Sequence, residues 1–346
     1  LIRLEPIGSL AHIATMALGD WITPHPEGIH VPAADIWIDP SQPKPRAFVT
    51  HGHADHARGG HGEVWATPET LAIMDARYGP QTAHPVAYGE TIRMGDVEIG
   101  FVPAGHVLGS AQIVLDHRGE RIVVSGDYKR RPDPTCEPFR PVKCDVFVTE
   151  ATFGLPVFRH PETTDEIDKL LAALRAEPER CVLVGAYALG KAQRVIAELR
   201  GMGFDDPIYI HGALQRLCDL YIDHGVALGE LRPATGVAKK ELQGRIILAP
   251  PGSLNDRWSR RLPDPVTAMA SGWMTVRQRA RQRNVELPLI LSDHADWDEL
   301  TMTLREIAPQ EVWVTHGRED ALVHWCRQHQ IKARALELSG YEDEDD

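Results

Sequence analysis

Three histidines and an aspartate crowd into the run Thr50-His51-Gly52-His53-Ala54-Asp55-His56, directly after the apolar Ala47-Phe48-Val49. Imidazole nitrogen and carboxylate oxygen together suit a borderline divalent metal such as zinc or manganese. Two histidines spaced i, i+2 at a strand end can turn both rings toward one ion. Asp55 and His56 then fall on the loop beyond and reach a second. Two ions at roughly 3.5–4 Å make a hydrolytic centre. The competing reading of this run alone is a histidine-rich surface loop.

Residues far along the chain argue against a loop. His106 sits in Pro103-Ala104-Gly105-His106 after the strand-like stretch from Val97 to Val102. Asp127 sits in Ser125-Gly126-Asp127-Tyr128 after Arg121 to Val124, and His316 in Thr315-His316-Gly317 after Val312-Trp313-Val314. Each candidate ligand follows a short β-branched or aromatic run, where side chains project from a sheet rim. Such repetition points to one metal centre assembled from several strand ends.

This set resembles the metallo-β-lactamase superfamily. His51 to His56 match its HxHxDH motif, His106 its third motif and Asp127 its fourth, while Asp39, in Ile36-Trp37-Ile38-Asp39, matches a strand-end aspartate that supports the metal loop. The resemblance implies an α/β fold, a four-layer αββα sandwich. It implies one metal on His51, His53 and His106, another on Asp55, His56 and His316, and Asp127 bridging. The two cofactors are then divalent ions, Zn2+ or Mn2+.

Within that superfamily the sequence is similar to the β-CASP nucleases, whose fold adds an inserted α/β domain. Thr149-Glu150-Ala151-Thr152 resembles their motif A, Ser292-Asp293-His294-Ala295-Asp296 their motif B, and His316 their motif C. Tyr187 to Arg194 resembles a strand-to-helix segment of the inserted domain. Narrower still, Ser125 to Arg130, Pro132 to Cys136 and Glu150 to Pro156 resemble the bacterial ligase-associated DNA exonucleases. That resemblance implies two-metal phosphodiester hydrolysis on a single-stranded or end-containing DNA, in DNA repair or processing, with a functional link to an ATP-dependent DNA ligase. Its catalytic residues would be Asp55, which orients or deprotonates the nucleophile, His294, which serves the leaving group, and Glu150, which orients His294. A histidine at motif C is typical of the RNA-cleaving members, so a processing or decay ribonuclease is the alternative. A non-catalytic β-CASP scaffold is the third reading.

Substrate contacts are expected from two places. Lys129 and Arg130 follow Asp127 immediately and should reach a phosphate near the metal mouth. Ser271-Gly272-Trp273 offers a glycine for close backbone approach and an aromatic face for a base, against the plainer reading of Trp273 as a core residue. Gly185 to Lys191 is nearly a phosphate loop, but Ala192 stands where a magnesium-binding hydroxyl would be. Arg277, Arg279, Arg281 and Arg283 alternate along one segment, with Arg257, Arg260 and Arg261 ahead of it. They are read as either a solvated face or a nucleic-acid contact. His211, after a strand, is the remaining histidine to watch. A net charge of −12 excludes a protein that coats nucleic acid nonspecifically. It does not exclude a nuclease, because two divalent ions bring about four positive charges to the scissile phosphate.

The elements must carry these residues to one point. Up to about Glu150 the pattern is hairpins and short strands, with one helix from Pro68 to Tyr78 introduced by Thr67-Pro68. Beyond Thr163-Thr164 it changes to helices from Asp165, Gly190, Leu214 and Asn255, alternating with strands Cys181 to Val184, Ile208 to Ile210 and Arg245 to Leu248. That alternation predicts a small parallel sheet. Leu287 to Leu291 and Val312 to Val314 then return to strands. Ligands at both ends of the chain must converge, so the expected organisation is a first part of the metallo-β-lactamase domain at 1–165, an insert at 166–284 and a return segment at 285–346. The odd set of five cysteines lacks paired spacing and reads as reduced thiols. With no leader pattern and no membrane-length apolar run, the expectation is a cytoplasmic protein that does not contact a membrane. The acidic Glu342 to Asp346 reads as a solvated end.

Overall fold

The computed structural model describes residues 18–336 and residue 338. The acidic stretch Glu342 to Asp346 lies outside them.

Period-two burial builds the first sheet. Ile29, Val31, Ile36 and Ile38 are buried while His30 and Trp37 between them are only half-buried, so the hairpin turns one face inward. Its six strands run Thr23–His25, Gly28–Val31, Ile36–Ile38, Arg46–Phe48, Glu63–Ala66 and Ala83–Pro85 in spatial order. A second sheet of seven strands packs on it, in the order Lys332–Ala335, Glu311–Gly317, Val146–Ala151, Glu120–Val124, Ala111–His117, Val97–Pro103, Thr91–Met94. Phe48, Phe101, Ile113, Val148 and Trp313 fill the space between the two. Helix Pro68–Tyr78 covers the outer face of the first sheet through Met74 against Val49 and Val64. Helices Trp297–Ile307 and Glu319–Gln328 cover the second through Leu300, Leu304 and Leu322 against Phe147 and Val312. The four layers are helix, sheet, sheet, helix, the metallo-β-lactamase arrangement.

The strands that matter for chemistry are parallel. Ile36–Ile38 pairs parallel with Arg46–Phe48, and Glu120–Val124, Val146–Ala151 and Glu311–Gly317 are parallel neighbours. Their carboxyl ends release Asp39, the His51 to His56 loop, Asp127, Glu150 and His316.

A third sheet, wholly parallel, has the order Leu231–Pro233, Ile208–Ile210, Ile246–Ala249, Val182–Gly185, Val266–Ala270, Leu287–Leu289. Helices Thr163–Ala176, Lys191–Gly201 and Gly212–Asp223 cover one face through Ile167, Val195 and Leu214. Two details differ from the sequence reading. Leu287–Leu289 pairs with Val266–Ala270 and buries Leu289 in this sheet's core, so the inserted sheet runs past residue 284 and His294 leaves its edge strand. The segment Asn255 to Arg260 is no α-helix but two 3-10 turns, Pro251–Asn255 and Ser259–Arg261. Asp256 Oδ1 accepts from the backbone N–H of Trp258 and Ser259 between them, which competes with helical bonding. The sequence reading also passed over helix Trp297–Ile307, whose Asp296/Glu299 capping box is a legible start signal.

Candidate metal centre

Asp127 is the hub. Its Oδ2 lies 3.4 Å from His51 Nε2, 3.4 Å from His56 Nε2 and 3.8 Å from His106 Nε2. Three ligand-type groups converge there: His51, His53, His106 with Asp127; His56, His316 with Asp127; and Glu150, His294 with Asp127. The first two bring together the expected histidines with a shared aspartate, without Asp55 in the second group. Asp55 sits beside them, its Oδ2 3.5 Å from His56 Nε2.

Backbone geometry aims these side chains. Gly126 has a φ of +57°, and a Cβ there would lie 2.7 Å from Thr50 Oγ1, so only glycine brings Asp127 this close to the histidine loop. His316 has a φ of +58° and sits at a register shift, where Glu150 pairs with Thr315 and Ala151 with Gly317. The extra residue of this bulge turns His316 inward.

Hydrogen bonds outside the centre select the tautomers. Thr50 Oγ1 donates to Asp39 Oδ2 at 2.6 Å, so it must accept from His51 Nδ1 at 3.0 Å. His56 Nδ1 donates to the same Asp39 oxygen at 2.8 Å. Both rings therefore turn an Nε2 lone pair inward. His106 Nδ1 donates to the Asp293 carbonyl at 2.7 Å and His53 Nε2 to the Leu189 carbonyl at 3.3 Å. Each of those two rings has spent its hydrogen on a carbonyl, yet His106 Nε2 and His53 Nδ1 face each other at 2.9 Å. Two lone pairs at that distance call for a positive charge between them. His51 Nε2 and Asp55 Oδ1 are likewise buried without a hydrogen bond. Orphaned acceptors on neutral imidazoles and carboxylates fit divalent metal ions.

Charge balance agrees at His51, His106 and His316. At His56 burial opposes the charge, but Asp127, Asp55 and Asp39 outweigh it and raise the ring well above the usual histidine value, so a metal there must displace a proton. Burial holds His51 and His106 well below the usual histidine value, which keeps them neutral as ligands must be. Burial also lowers His316, to about 4. His294 behaves oppositely: burial opposes its charge, but Glu150 and Asp127 outweigh that and raise it to about 10. Its Nδ1 lies 3.0 Å from Glu150 Oε2, and Glu150 Oε1 accepts from the Tyr128 backbone N–H at 2.7 Å. Glu150 thus holds both the orientation and the proton of His294.

The centre opens into a cleft between the sandwich and the carboxyl edge of the third sheet. His53, Asp55, Asp127 and His294 line one side; Leu189, Lys191, Gly272 and Trp273 line the other. Gly272 lines the cleft, but the close approach its missing Cβ permits is to the protein's own Phe153, whose Cζ would lie 2.5 Å from a Cβ there. Trp273 is mostly buried against Phe153 and Phe158 with an edge in the cleft, and the Ser271 hydroxyl accepts from its backbone N–H. The expected phosphate contacts of Lys129 and Arg130 are corrected. Lys129 is buried, with Nζ donating to the His106 carbonyl at 2.6 Å and paired with Asp133 at 2.7 Å. Arg130 points away from the cleft to Thr303 and Glu306, with its guanidinium over Phe139. They are two and three residues beyond Asp127, but the chain turns there and carries them off the rim. His211 caps helix Gly212–Asp223 and packs on Trp258 instead of lining the cleft. Lys191 is held by Asp293 Oδ2 and the Leu291 carbonyl, both at 3.0 Å, so it joins motif B to the inserted sheet. The roles of Thr50 and of the Asp293 carbonyl went unread in the sequence; both sit inside quoted motifs, but a backbone acceptor leaves no residue-type signal.

No protein-family model matches the chain. It is 29% identical over 323 residues, 91% of its length and 31% of the relative's, to "Probable DNA ligase" of Opitutus terrae. It is 28% identical over 209 residues to "Ribonuclease TTHA0252" of Thermus thermophilus, 52% of this chain and 46% of that one. It is 31% identical over 144 residues to "Uncharacterized protein in lig 3'region" of Acidianus ambivalens, 41% of this chain and 99% of that one. The chain spans less than half the length of the first two. With this fold and centre, the chain belongs to the β-CASP branch of the metallo-β-lactamase superfamily.

Proposed function

We propose that the protein is a two-metal phosphodiesterase acting as a DNA exonuclease in repair or processing. The observation that carries the chemistry is Asp127, shared between two histidine sets and lying beside the Glu150–His294 pair, with His294 Nδ1 4.0 Å from its Oδ2. His51, His53 and His106 would hold one divalent ion and Asp55, His56 and His316 the other, with Asp127 common to both. Zinc and manganese both suit these donors. Such ions supply positive charge for the scissile phosphate and ready a water for attack. Asp55, whose Oδ1 is unbonded, takes the proton of the attacking water. As the phosphorus–oxygen bond breaks, protonated His294 gives its proton to the leaving oxygen. Between turnovers Asp55 releases its proton to solvent and His294 takes one up, its protonated form favoured by Glu150. Asp39 keeps His51 and His56 in the ligating tautomer.

DNA is favoured by the relative named as a probable DNA ligase, which aligns over most of this chain, and by the Acidianus protein named for a lig 3' region. Both names support a working link to a DNA ligase; we take that ligase to be ATP-dependent and the protein to be cytoplasmic. Among the described residues no helix is long and apolar enough to cross a membrane. A ribonuclease is the second reading, favoured by His316 and by the Thermus relative named a ribonuclease. End-labelled single-stranded DNA and the matching RNA, with manganese or zinc and an Asp127→Ala control, separate the two. Stepwise DNA shortening that Asp127→Ala abolishes is the expected result; cleavage confined to RNA would transfer the assignment to the second reading.

A further inference from the structure

The rings of the metal centre take their orientation from two different parts of the molecule. Thr50 and Asp39 set His51 and His56, and Thr315 Oγ1 lies 2.9 Å from His316 Nδ1, all within the sandwich. His53 and His106 reach outside it. The Leu189 carbonyl, on the turn between strand Val182–Gly185 and helix Lys191–Gly201, accepts from His53. The Asp293 carbonyl, just past edge strand Leu287–Leu289, accepts from His106. Both histidines belong to the ligand set completed by His51 and Asp127.

A carbonyl can hold a ring only if it is itself held, and a buried row of charges does that here. Lys191 Nζ lies 3.0 Å from Asp293 Oδ2 and donates to the Leu291 carbonyl at 3.0 Å. Arg194, on the next turn of the helix, lies 3.2 Å from Asp293 Oδ1, donates to the Ser292 carbonyl and reaches Thr163 Oγ1 at 2.9 Å. Leu291, Ser292 and Asp293, the three residues before His294, are thereby fastened to one helix. The row continues into the sandwich. Arg194 Nε is 3.6 Å from Asp133 Oδ2, Asp133 pairs with Lys129, and Lys129 Nζ donates to the His106 carbonyl. His106 is thus gripped at its backbone by Lys129 and at its ring by Asp293. Lys129, Lys191, Arg194 and Asp293 are all buried. Taking ions out of water is unfavourable, and apolar packing would join two domains at least as well. What the ions add is direction, since each Asp293 carboxylate oxygen faces a different cation. Close packing agrees: Gly190 has a φ of +85°, and a Cβ there would collide with Val107, the neighbour of His106.

We infer that Lys191 and Asp293 are positioning residues for one metal of the two: they fix the carbonyl that orients His106, so the inserted domain governs the ion of the His51, His53 and His106 set and not that of the His56 and His316 set. The inference rests on the two-metal reading and assigns each ion to the part of the molecule that holds it. Lys191 lines the cleft, but its ammonium serves Asp293 and not the substrate. Partners that hold a ligating histidine in its tautomer set metal affinity nearly as strongly as the ligands do.

The test is a zinc titration of the metal-free full chain against a metallochromic chelator, beside Lys191→Met and Lys191→Arg. Methionine fills much of the lysine's volume and Asp293 keeps Arg194, so the fold survives. Lys191→Met should weaken one ion about 10-fold, the lower end of what losing an orienting partner costs, and leave the other unchanged. Lys191→Arg, which keeps a cation for Asp293, should recover most of the affinity. Double variants identify the ion: Lys191→Met adds little to His106→Ala and adds in full to His316→Ala. Unchanged zinc affinities with a raised KM for a single strand would overturn the inference and make Lys191 a phosphate contact. Equal weakening of both ions, with a lower melting temperature, would overturn it too, because general loosening does that. If the unaltered chain binds a single ion, the two-metal reading fails, and the inference then stands or falls on whether Lys191→Met weakens that ion non-additively with His106→Ala.

Discussion

Asp39→Asn tests the wiring of the metal centre through a residue that touches no metal in the ligand scheme. Asp39 Oδ1 accepts from the Thr50 backbone N–H at 2.8 Å, while Oδ2 accepts from Thr50 Oγ1 at 2.6 Å and His56 Nδ1 at 2.8 Å. Asparagine keeps an oxygen for the backbone N–H but presents an amide N–H to both other groups. His56 must then accept at Nδ1 and carry its hydrogen on Nε2, where the metal set needs a lone pair. Thr50 Oγ1 is released from its role for His51 at the same time. The backbone stays put, because Asp39 has a φ of +43°, a region asparagine tolerates. Loss of one such orienting partner costs about 10–100-fold in metal affinity, or about 1.4–2.7 kcal/mol. Competition with a metallochromic chelator measures the affinity, and elemental analysis after dialysis the stoichiometry. The expected result is weaker binding with unchanged stoichiometry at saturating metal, and an unchanged circular dichroism spectrum. Metal affinity equal to that of the unaltered chain would refute the tautomer argument.

Further expectations follow from other contacts. His294→Ala keeps both metals and loses most turnover; loss of metal together with turnover would contradict its place as proton donor. His294 is raised to about 10, so the folded protein favours its protonated form, present below that value and lost as pH rises through it. The rate therefore falls on the alkaline side at or below about 10, since bound cations lower the value, and Glu150→Gln moves that limb to lower pH; a pH–rate profile with an unmoved limb would speak against the pair. Gly272→Ala pushes a methyl into Phe153 and Ser292, destabilising the protein by about 1–3 kcal/mol. Its kcat/KM should fall with metal content intact, and an unchanged melting temperature and kcat/KM would show the approach is not tight. Lys129→Met leaves buried Asp133 with Arg194 Nε at 3.6 Å as its remaining cation, beside the hydrogen bonds from Thr135, and costs about 3–5 kcal/mol in a denaturant titration. A rise in KM at unchanged stability would instead return Lys129 to phosphate contact.

Much of the centre was legible because ligand chemistry restricts residue type. His51, His53, His56, His106, Asp127 and His316 each follow an apolar strand, and a strand that ends at a rim delivers its next residues to one place. The pair Glu150 and His294 was legible through motif likeness, and the structure brings the two side chains within hydrogen-bonding distance. What failed was proximity in sequence taken as proximity in space. Lys129 and Arg130 follow Asp127 directly but lie under the rim and away from it, since chain direction after a ligand depends on what packs there. The edge strand Leu287–Leu289 was assigned to the return segment because a short apolar run does not say which sheet it joins.

By itself, then, the sequence determined the donor types, the order of strand ends and the alternation that makes a parallel inserted sheet, since these follow from residue chemistry and local period. Tertiary structure alone decided the rest. It converts Asp39 and Thr50 into one switch for two histidines, turns the Leu189 and Asp293 carbonyls of the inserted sheet onto His53 and His106, and bulges His316 into line. Each depends on groups distant in sequence meeting within hydrogen-bond distance, and backbone acceptors carry no residue identity that a sequence could display.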